Sequence, residues 1–117
     1  MTSINQDFIL YSGDDKTIVV TVTNSSGQIV NLTGLTAAQF VAKKYSKSSS
    51  VDVTKTLGAG ITNAAPTTGK LTITLDAADT SGLTPGEYYV EVRIKDSSSR
   101  IGTVSVGTMT LKQADSL

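Results

Sequence analysis

The stretch Leu83-Thr-Pro-Gly-Glu-Tyr-Tyr-Val-Glu-Val-Arg-Ile-Lys-Asp96 decides the fold class, because a turn signal there runs directly into an alternating pattern. Successive side chains of an extended chain point to opposite faces of a sheet, so strict alternation of apolar and polar residues indicates a half-buried strand. The apolar side consists of Tyr88, Val90, Val92 and Ile94, and the other side of Tyr89, Glu91, Arg93 and Lys95. We therefore predict a central strand with one face in the core.

The residues that lead into this strand predict the kind of sheet. Leu83, Pro85, Gly86 and Tyr88 form a Leu-x-Pro-Gly-x-Tyr pattern. Immunoglobulin-like and fibronectin-like sandwiches use such a turn, with a tyrosine whose hydroxyl bonds back to the preceding backbone. We assign these four residues to a structural corner. The fold class we predict is all-β, an immunoglobulin-like antiparallel β-sandwich of about seven to nine strands.

Other stretches of the chain supply the remaining strands. Alternation or short apolar runs bounded by turn residues predict strands at residues 7–11, 16–23, 28–32, 36–45, 51–55, 70–75 and 101–112. Helix is the competing interpretation for residues 36–45, but strand is preferred because no apolar stripe of helical period is present. We expect residues 51–55 to form an exposed edge strand and Gly107 to introduce a bulge that moves the buried phase from Val104 and Val106 to Met109 and Leu111.

The connections carry fewer signals. Ile61 is expected to anchor the long connection at residues 58–69 in the core, and Asp76 to cap a single helical turn at residues 76–80. Residues 46–50 are predicted to be a flexible loop. We predict one domain over residues 1–117, with residues 113–117 as a flexible tail.

Charge and the start of the sequence exclude several classes of partner. Lys plus Arg and Asp plus Glu are ten each, and charged residues make up 17% of the chain. A neutral chain without a basic cluster predicts no nucleic-acid and no membrane partner. Residues 1–7 lack the basic and apolar regions of a signal peptide, and no apolar run reaches membrane-spanning length, so we expect no Sec-type export.

The residue types that are absent exclude most catalytic and metal chemistry. The sequence has no histidine, cysteine or tryptophan, which removes the commonest general base, the thiolate nucleophile and most zinc sites. Asp14 with Asp15, and Asp76 with Asp79, could bind a hard cation such as calcium, although local backbone hydrogen bonds explain such residues equally well. We predict no catalytic residues, no metal site and no cofactor. Tyr11, Tyr45 and Tyr89 remain as a possible surface for sugar stacking or protein binding.

Six segments resemble one family of virion proteins. They are Gly13-Asp-Asp-Lys-Thr-Ile-Val-Val-Thr-Val, Ile29-Val-Asn-Leu-Thr-Gly-Leu35, Gly60-Ile-Thr, Gly69-Lys-Leu-Thr-Ile-Thr-Leu-Asp76, Leu83-Thr-Pro-Gly-Glu-Tyr-Tyr89 and Gly107-Thr-Met-Thr-Leu111. Together they resemble an immunoglobulin-like domain of tailed-bacteriophage virion proteins, similar to the N-terminal domain of the phage upper-baseplate protein family. The resemblance covers about residues 8–112. In that family a longer C-terminal part usually follows, whereas this sequence ends at Leu117, which suggests a small adaptor, a decoration protein or a fragment.

The resemblance implies a non-enzymatic structural role. The expected protein is an adaptor or decoration module that binds other virion proteins (tail, baseplate or capsid) in several symmetric copies. It would be located in the virion after synthesis and assembly in the cytoplasm of the host bacterium. Residues 46–69 and the N-terminal strand are the expected docking surfaces, since edges and loops are where such domains bind. The alternative is a bacterial surface or carbohydrate-binding β-sandwich module.

Overall fold

The strands predicted from alternation are present in the computed structural model, which describes residues 4–5, 7–45 and 50–113. Within these residues the strands are β1 Ile4–Asn5, β2 Phe8–Tyr11, β3 Lys16–Thr21, β4 Ala37–Lys43, β5 Val53–Leu57, β6 Gly60–Thr62, β7 Lys70–Leu75, β8 Gly86–Lys95 and β9 Ile101–Lys112. A 3-10 turn at Pro66–Thr68 and a short helix α1 at Ala77–Thr80 complete the regular structure. Most of the predicted loop at 46–50 and of the predicted tail at 113–117 lies outside the described residues.

The strands form one hydrogen-bonded path that folds into two layers. Its order is β1-β9-β8-β4-β5-β6-β7-β3, with β2 also paired to β9. The chain turns from one layer to the other at the corner between β5 and β6. Side chains of β4 and β8, such as Phe40 and Val92, meet Ile18, Val20 and Ile73 of β3 and β7. The core therefore lies between two sheets, which confirms the immunoglobulin-like β-sandwich.

Strand direction is mixed within this sandwich. The pairs β3–β7, β4–β5, β4–β8, β6–β7 and β8–β9 are antiparallel. The pairs β1–β9, β2–β9 and β5–β6 are parallel. The prediction of an antiparallel sandwich did not contain these three parallel pairs, because side-chain alternation is the same in both directions.

The faces predicted from alternation are the observed faces. On β8, Tyr88, Val90, Val92 and Ile94 are all at most 4% exposed. Ile18 and Val20 of β3 and Leu71, Ile73 and Leu75 of β7, which alternate with polar or exposed residues, are likewise buried. Ala38, Phe40 and Ala42 of β4 are buried in strand geometry, so strand rather than helix is correct there. Ile61 is buried as the predicted anchor, and Asp76 occupies the N-cap of α1.

The bulge in β9 lies three residues before the predicted position. Val92 pairs with Ser105 while Arg93 pairs with Thr103, so Val104 is the extra residue. Val104 and Ser105 are consequently both buried, whereas Val106 is only half-buried. The prediction of a bulge at Gly107 was wrong, since Gly107 pairs regularly with Val90. Glycine permits a bulge, but here the packing of Val104 into the core determines where it occurs.

Two further predictions of strands need correction. Residues 28–32 form no strand, since Thr23 and Ile29 make only an isolated bridge. The side-chain oxygen of Asn24 instead accepts hydrogen bonds from the amides of Ser26 and Gln28. Residues 51–55 are not a free edge. The strand there, β5, begins at Val53 and lies between β4 and β6.

Candidate functional site

The Tyr88 side chain has a structural position rather than a ligand-binding one. Its ring is 1% exposed, and its hydroxyl donates a 2.6 Å hydrogen bond to the Thr84 carbonyl. This is the geometry of a tyrosine corner. Leu83 packs against the core, and Gly86 adopts φ +151° where the chain enters β8. Burial, and secondarily the charge of Asp52, raises the pKa of Tyr88, so the hydroxyl keeps the proton that it donates.

Of the two acidic pairs that could have held calcium, Asp76 and Asp79 lie beside a lysine. The Lys55 ammonium lies 2.8 Å from Asp79 Oδ2 and 3.8 Å from Asp76 Oδ2, and the Lys55 side chain is only 13% exposed. Asp79 Oδ2 also accepts the amide of Asp76, and Asp15 Oδ1 accepts the amide of Ala77. Asp15 and Asp79 thus accept backbone amides at the start of α1, and Asp76 and Asp79 bind the ammonium of Lys55.

The electrostatics of Asp79 follow from these contacts. Burial opposes its ionisation, but the Lys55 hydrogen bond, the Asp76 amide and the Lys55 charge together hold the pKa of Asp79 below its ordinary value. No group of three His, Cys, Asp or Glu side chains among the described residues has a geometry that could hold a metal ion. Sequence reasoning missed the Lys55–Asp79 pair because 24 positions separate the two residues and neither belongs to a motif.

The Lys55 side chain crosses Gly60 on its way to Asp79. A Cβ placed on Gly60 would lie 2.4 Å from Lys55 Cδ, and Gly60 has φ +104°. The corner between β5 and β6 thus requires glycine for both its backbone conformation and the space that Lys55 occupies. The glycine-rich segment 58–60 has an architectural explanation, and it does not resemble a phosphate-binding loop.

Two of the three singled-out tyrosines share one surface depression. Tyr45 and Tyr89 line an open depression of about 340 Å³ together with Lys44, Glu87 and Thr108. Tyr45 is 74% exposed, whereas Tyr89 is half-buried and donates a 2.8 Å hydrogen bond to Glu91. Burial, followed by the bond to Glu91 and its charge, raises the pKa of Tyr89 to about 12. Tyr11 lies elsewhere and does not line this depression.

The outer edge of β2 carries exposed apolar side chains. Ile9 is 54% exposed and Tyr11 is 46% exposed, while Leu10 between them is buried. Among the described strands, β2 pairs with β9 alone, so its second edge has no strand beside it. An unpaired edge with apolar side chains is a surface that accepts an added strand. This edge is a part of the predicted docking surfaces that stays accessible in the structure.

The other predicted docking surface, residues 46–69, contributes some side chains to the fold, while most of its described residues are exposed. Val53 and Ile61 are buried, and Lys55 is held by Asp79. Residues 46–49 lie outside the described part of the chain. No helix in the described ranges has the length and apolar character needed to cross a membrane.

Comparison with known proteins bears on the fold alone. No family model and no curated protein sequence matches this chain. The fibronectin(III)-like modules of Clostridium thermocellum CbhA superpose with a TM-score of 0.51 at 14% identity, covering 97% of this chain and 95% of that chain. CopC from Methylosinus trichosporium OB3b gives a TM-score of 0.41 at 16% identity, covering 84% of this chain and 98% of that one. The superposition on the CbhA modules, together with the two-layer core, gives this chain a fibronectin(III)-like, immunoglobulin-like sandwich fold.

Proposed function

We propose that this protein is a non-catalytic structural module of a tailed-phage virion that binds other virion proteins through the edge of β2. The observation that carries the proposal is the pair of exposed apolar side chains, Ile9 and Tyr11, on a strand whose second edge is open. Backbone groups on such an edge supply affinity, and the alternate side chains supply specificity. Repeated copies of one module around a symmetric particle then present the same edge many times.

Two other features support binding rather than catalysis. The sequence has neither histidine nor cysteine, and the carboxylates nearest to one another are committed to α1 and to Lys55. A fibronectin(III)-like fold, to which this chain is similar, typically carries no catalytic site. The proposal of a phage virion as the assembly comes from the sequence resemblance to immunoglobulin-like domains of virion proteins. Head decoration and tail or baseplate adaptor are both compatible with an edge-docked module.

The experiment is to look for the protein in purified phage particles and to disrupt the edge. Mass spectrometry of particles from the phage or prophage that encodes the chain should find it in a fixed number of copies per particle. Ile9→Arg should reduce incorporation at least tenfold without changing the unfolding midpoint, because the side chain is exposed. Thr74→Arg, on the exposed face of β7, is the matched control and should incorporate normally. A gene outside any morphogenesis cluster, together with absence from particles, would refute the proposal.

A second candidate function is glycan binding at the depression that Tyr45 and Tyr89 share. An exposed aromatic ring stacks on a sugar face, and Glu87 and Lys44 at the same depression offer an acceptor and a donor for hydroxyl groups. The proposal predicts glycan-array binding that Tyr45→Ala abolishes and Tyr11→Ala leaves unchanged. Equal loss in both variants, or no binding by the native protein, would remove this candidate.

A further inference from the structure

We propose that the cavity between the segment 30–35 and the hairpin 96–102 binds a carboxylate that is carried on a short branched aliphatic chain. The cavity has a volume of about 440 Å³ and opens at the end of the sandwich where β8 leads into β9. This size falls within the range of small-molecule sites, roughly 300–1,000 Å³. It lies apart from both the β2 edge and the tyrosine depression, so this inference is independent of the proposed functions.

The floor of the cavity is apolar. Leu32 and Ile94 are 3% and 2% exposed and belong to the core, and Leu35 packs against that core from the side of the loop. Ile101, which is 61% exposed, stands at the rim. An aliphatic group entering here would bury the parts of Ile101 and Leu35 that are exposed. Such burial contributes roughly 25 cal/mol for each Å² removed from water.

The rim of the cavity presents hydrogen-bond donors. Arg100 is an exposed residue of the cavity lining, and its side chain makes no ion pair with an acidic side chain of the described residues. Asn31 Oδ1 accepts both the amide and the hydroxyl of Thr33, at 2.9 and 2.6 Å. This pair of bonds assigns the oxygen of the Asn31 side chain to the loop and leaves its NH₂ group available. The Ser97 hydroxyl lies on the same rim.

One oxygen of the Asp96 carboxylate, which also lines the cavity, is bonded to the hairpin backbone. Asp96 Oδ1 accepts the amides of Ser98 and Arg100, each at 2.9 Å, and so closes the hairpin. The donors among the lining residues are Arg100 and the NH₂ group of Asn31, and the group that they match is an anionic oxygen pair. A guanidinium binds the two oxygens of a carboxylate side by side.

Two sources can supply this chemistry. One is the carboxyl end of a peptide that terminates in an aliphatic residue, and the other is a free branched-chain acid. Both place a carboxylate about one side-chain length from an aliphatic group. N-acetyl-leucine represents the peptide end, 4-methylpentanoate represents the free acid, and N-acetyl-leucinamide has the same body as the first without the charge.

The experiment is a titration of the ¹⁵N-labelled full chain with each of the three probes, followed by amide shifts. N-acetyl-leucine or 4-methylpentanoate should shift the amides of Leu32, Leu35 and Gly102 with a Kd on the order of millimolar. N-acetyl-leucinamide should bind at least fivefold more weakly, because the charge-assisted bonds to Arg100 are lost. Tighter binding of N-acetyl-leucine than of 4-methylpentanoate identifies a peptide end as the natural source, and the reverse order identifies a free acid.

Two variants distinguish carboxylate binding in the cavity from a non-specific attraction of the anion to the positive charges of the protein. Arg100→Gln should weaken carboxylate binding about five- to tenfold, while its amide spectrum shows an intact hairpin. Lys112→Gln is the matched control, since it removes the same charge about 35 Å away at the other end of β9. The inference is overturned if the amide probe binds as well as the acid, if both variants weaken binding equally, or if no cavity amide shifts at all.

Discussion

At the scale of single residues, one hydroxyl group fixes how the chain enters β8. Tyr88→Phe keeps the buried ring and its contact with Lys44, whose ammonium lies 5.1 Å from the ring centre, but removes the bond to the Thr84 carbonyl. We expect the free energy of unfolding to fall by about 1–2 kcal/mol. Urea unfolding measures this change. Tyr45→Phe is the control, because it removes a hydroxyl from a side chain that is 74% exposed and should change stability by no more than about 0.5 kcal/mol.

The Asp79 carboxylate gives the protein a defined acid dependence. Its pKa in the folded protein lies below the unfolded value of 3.8, so its stabilising contribution is present above that value and is lost as the pH falls through the folded pKa. Asp79→Asn should cost about 1–2 kcal/mol at pH 7, since the mostly buried Lys55 then loses its nearest carboxylate. The difference between wild type and variant should disappear at acid pH.

Urea unfolding between pH 7 and acid pH measures this difference. Asp14→Asn, on an exposed turn residue, is the control and should change stability by no more than about 0.5 kcal/mol at every pH. If the difference in unfolding free energy between wild type and Asp79→Asn stays constant down to the lowest pH, the lowered pKa of Asp79 is contradicted.

Residue types near a turn could be interpreted from sequence, and residue partners across the fold could not. The role of Tyr88 was visible because Pro85 and Gly86 lie within three positions of it. The Lys55–Asp79 pair was invisible, because the corner at Gly60 and the course of β7 bring these two residues together only in the folded chain. Sequence patterns report local geometry, and the contacts that give this protein its electrostatics are long-range.

At the scale of secondary-structure elements, alternation located the strands more reliably than it located their irregularities. The bounds of β9 were predicted correctly, yet its bulge lies at Val104 rather than at Gly107. The bulge was predicted at Gly107 because glycine tolerates the backbone conformations that a bulge requires. The position was instead set by the demand that Val104 and Met109, which are out of phase by one residue, both face the core. Packing of a whole layer thus outweighed local backbone preference.

The corner between β5 and β6 supplies an element-scale prediction. Gly60→Ala should destabilise the protein by about 1–2 kcal/mol more than Gly58→Ala. Both glycines have positive φ, at +104° and +85°, so both variants strain the backbone. Only at Gly60 does the new methyl group meet the Lys55 side chain, whereas a Cβ on Gly58 meets nothing within 4 Å. Thermal unfolding of the two variants side by side measures the difference, and equal losses would show that Lys55 moves aside freely.

At the scale of the whole molecule, the sequence predicted the architecture but not the connections between layers. A two-layer sandwich follows from half-buried strands that must cover one another's apolar faces. Which strands pair in parallel, and which edge stays open, depend on where the chain crosses between layers. The segment 7–11 was predicted as a strand, but its parallel pairing with β9 leaves Ile9 and Tyr11 at an outer edge. That placement, rather than any motif, is the basis of the proposed docking surface.

The long-range contacts around α1 predict that folding does not depend on calcium. Asp15, Asp76 and Asp79 come from two distant parts of the chain and meet at α1, where the Lys55 ammonium already supplies a positive charge. A calcium site filled at a hundred times its Kd would add about 2.7 kcal/mol and raise Tm by roughly 10 °C. We expect instead that millimolar calcium and excess chelator each leave Tm unchanged within about 1 °C, as measured by calorimetry. A rise with calcium that chelator reverses would mean that these carboxylates bind the ion in preference to Lys55, and the Lys55→Gln variant would then show a larger rise.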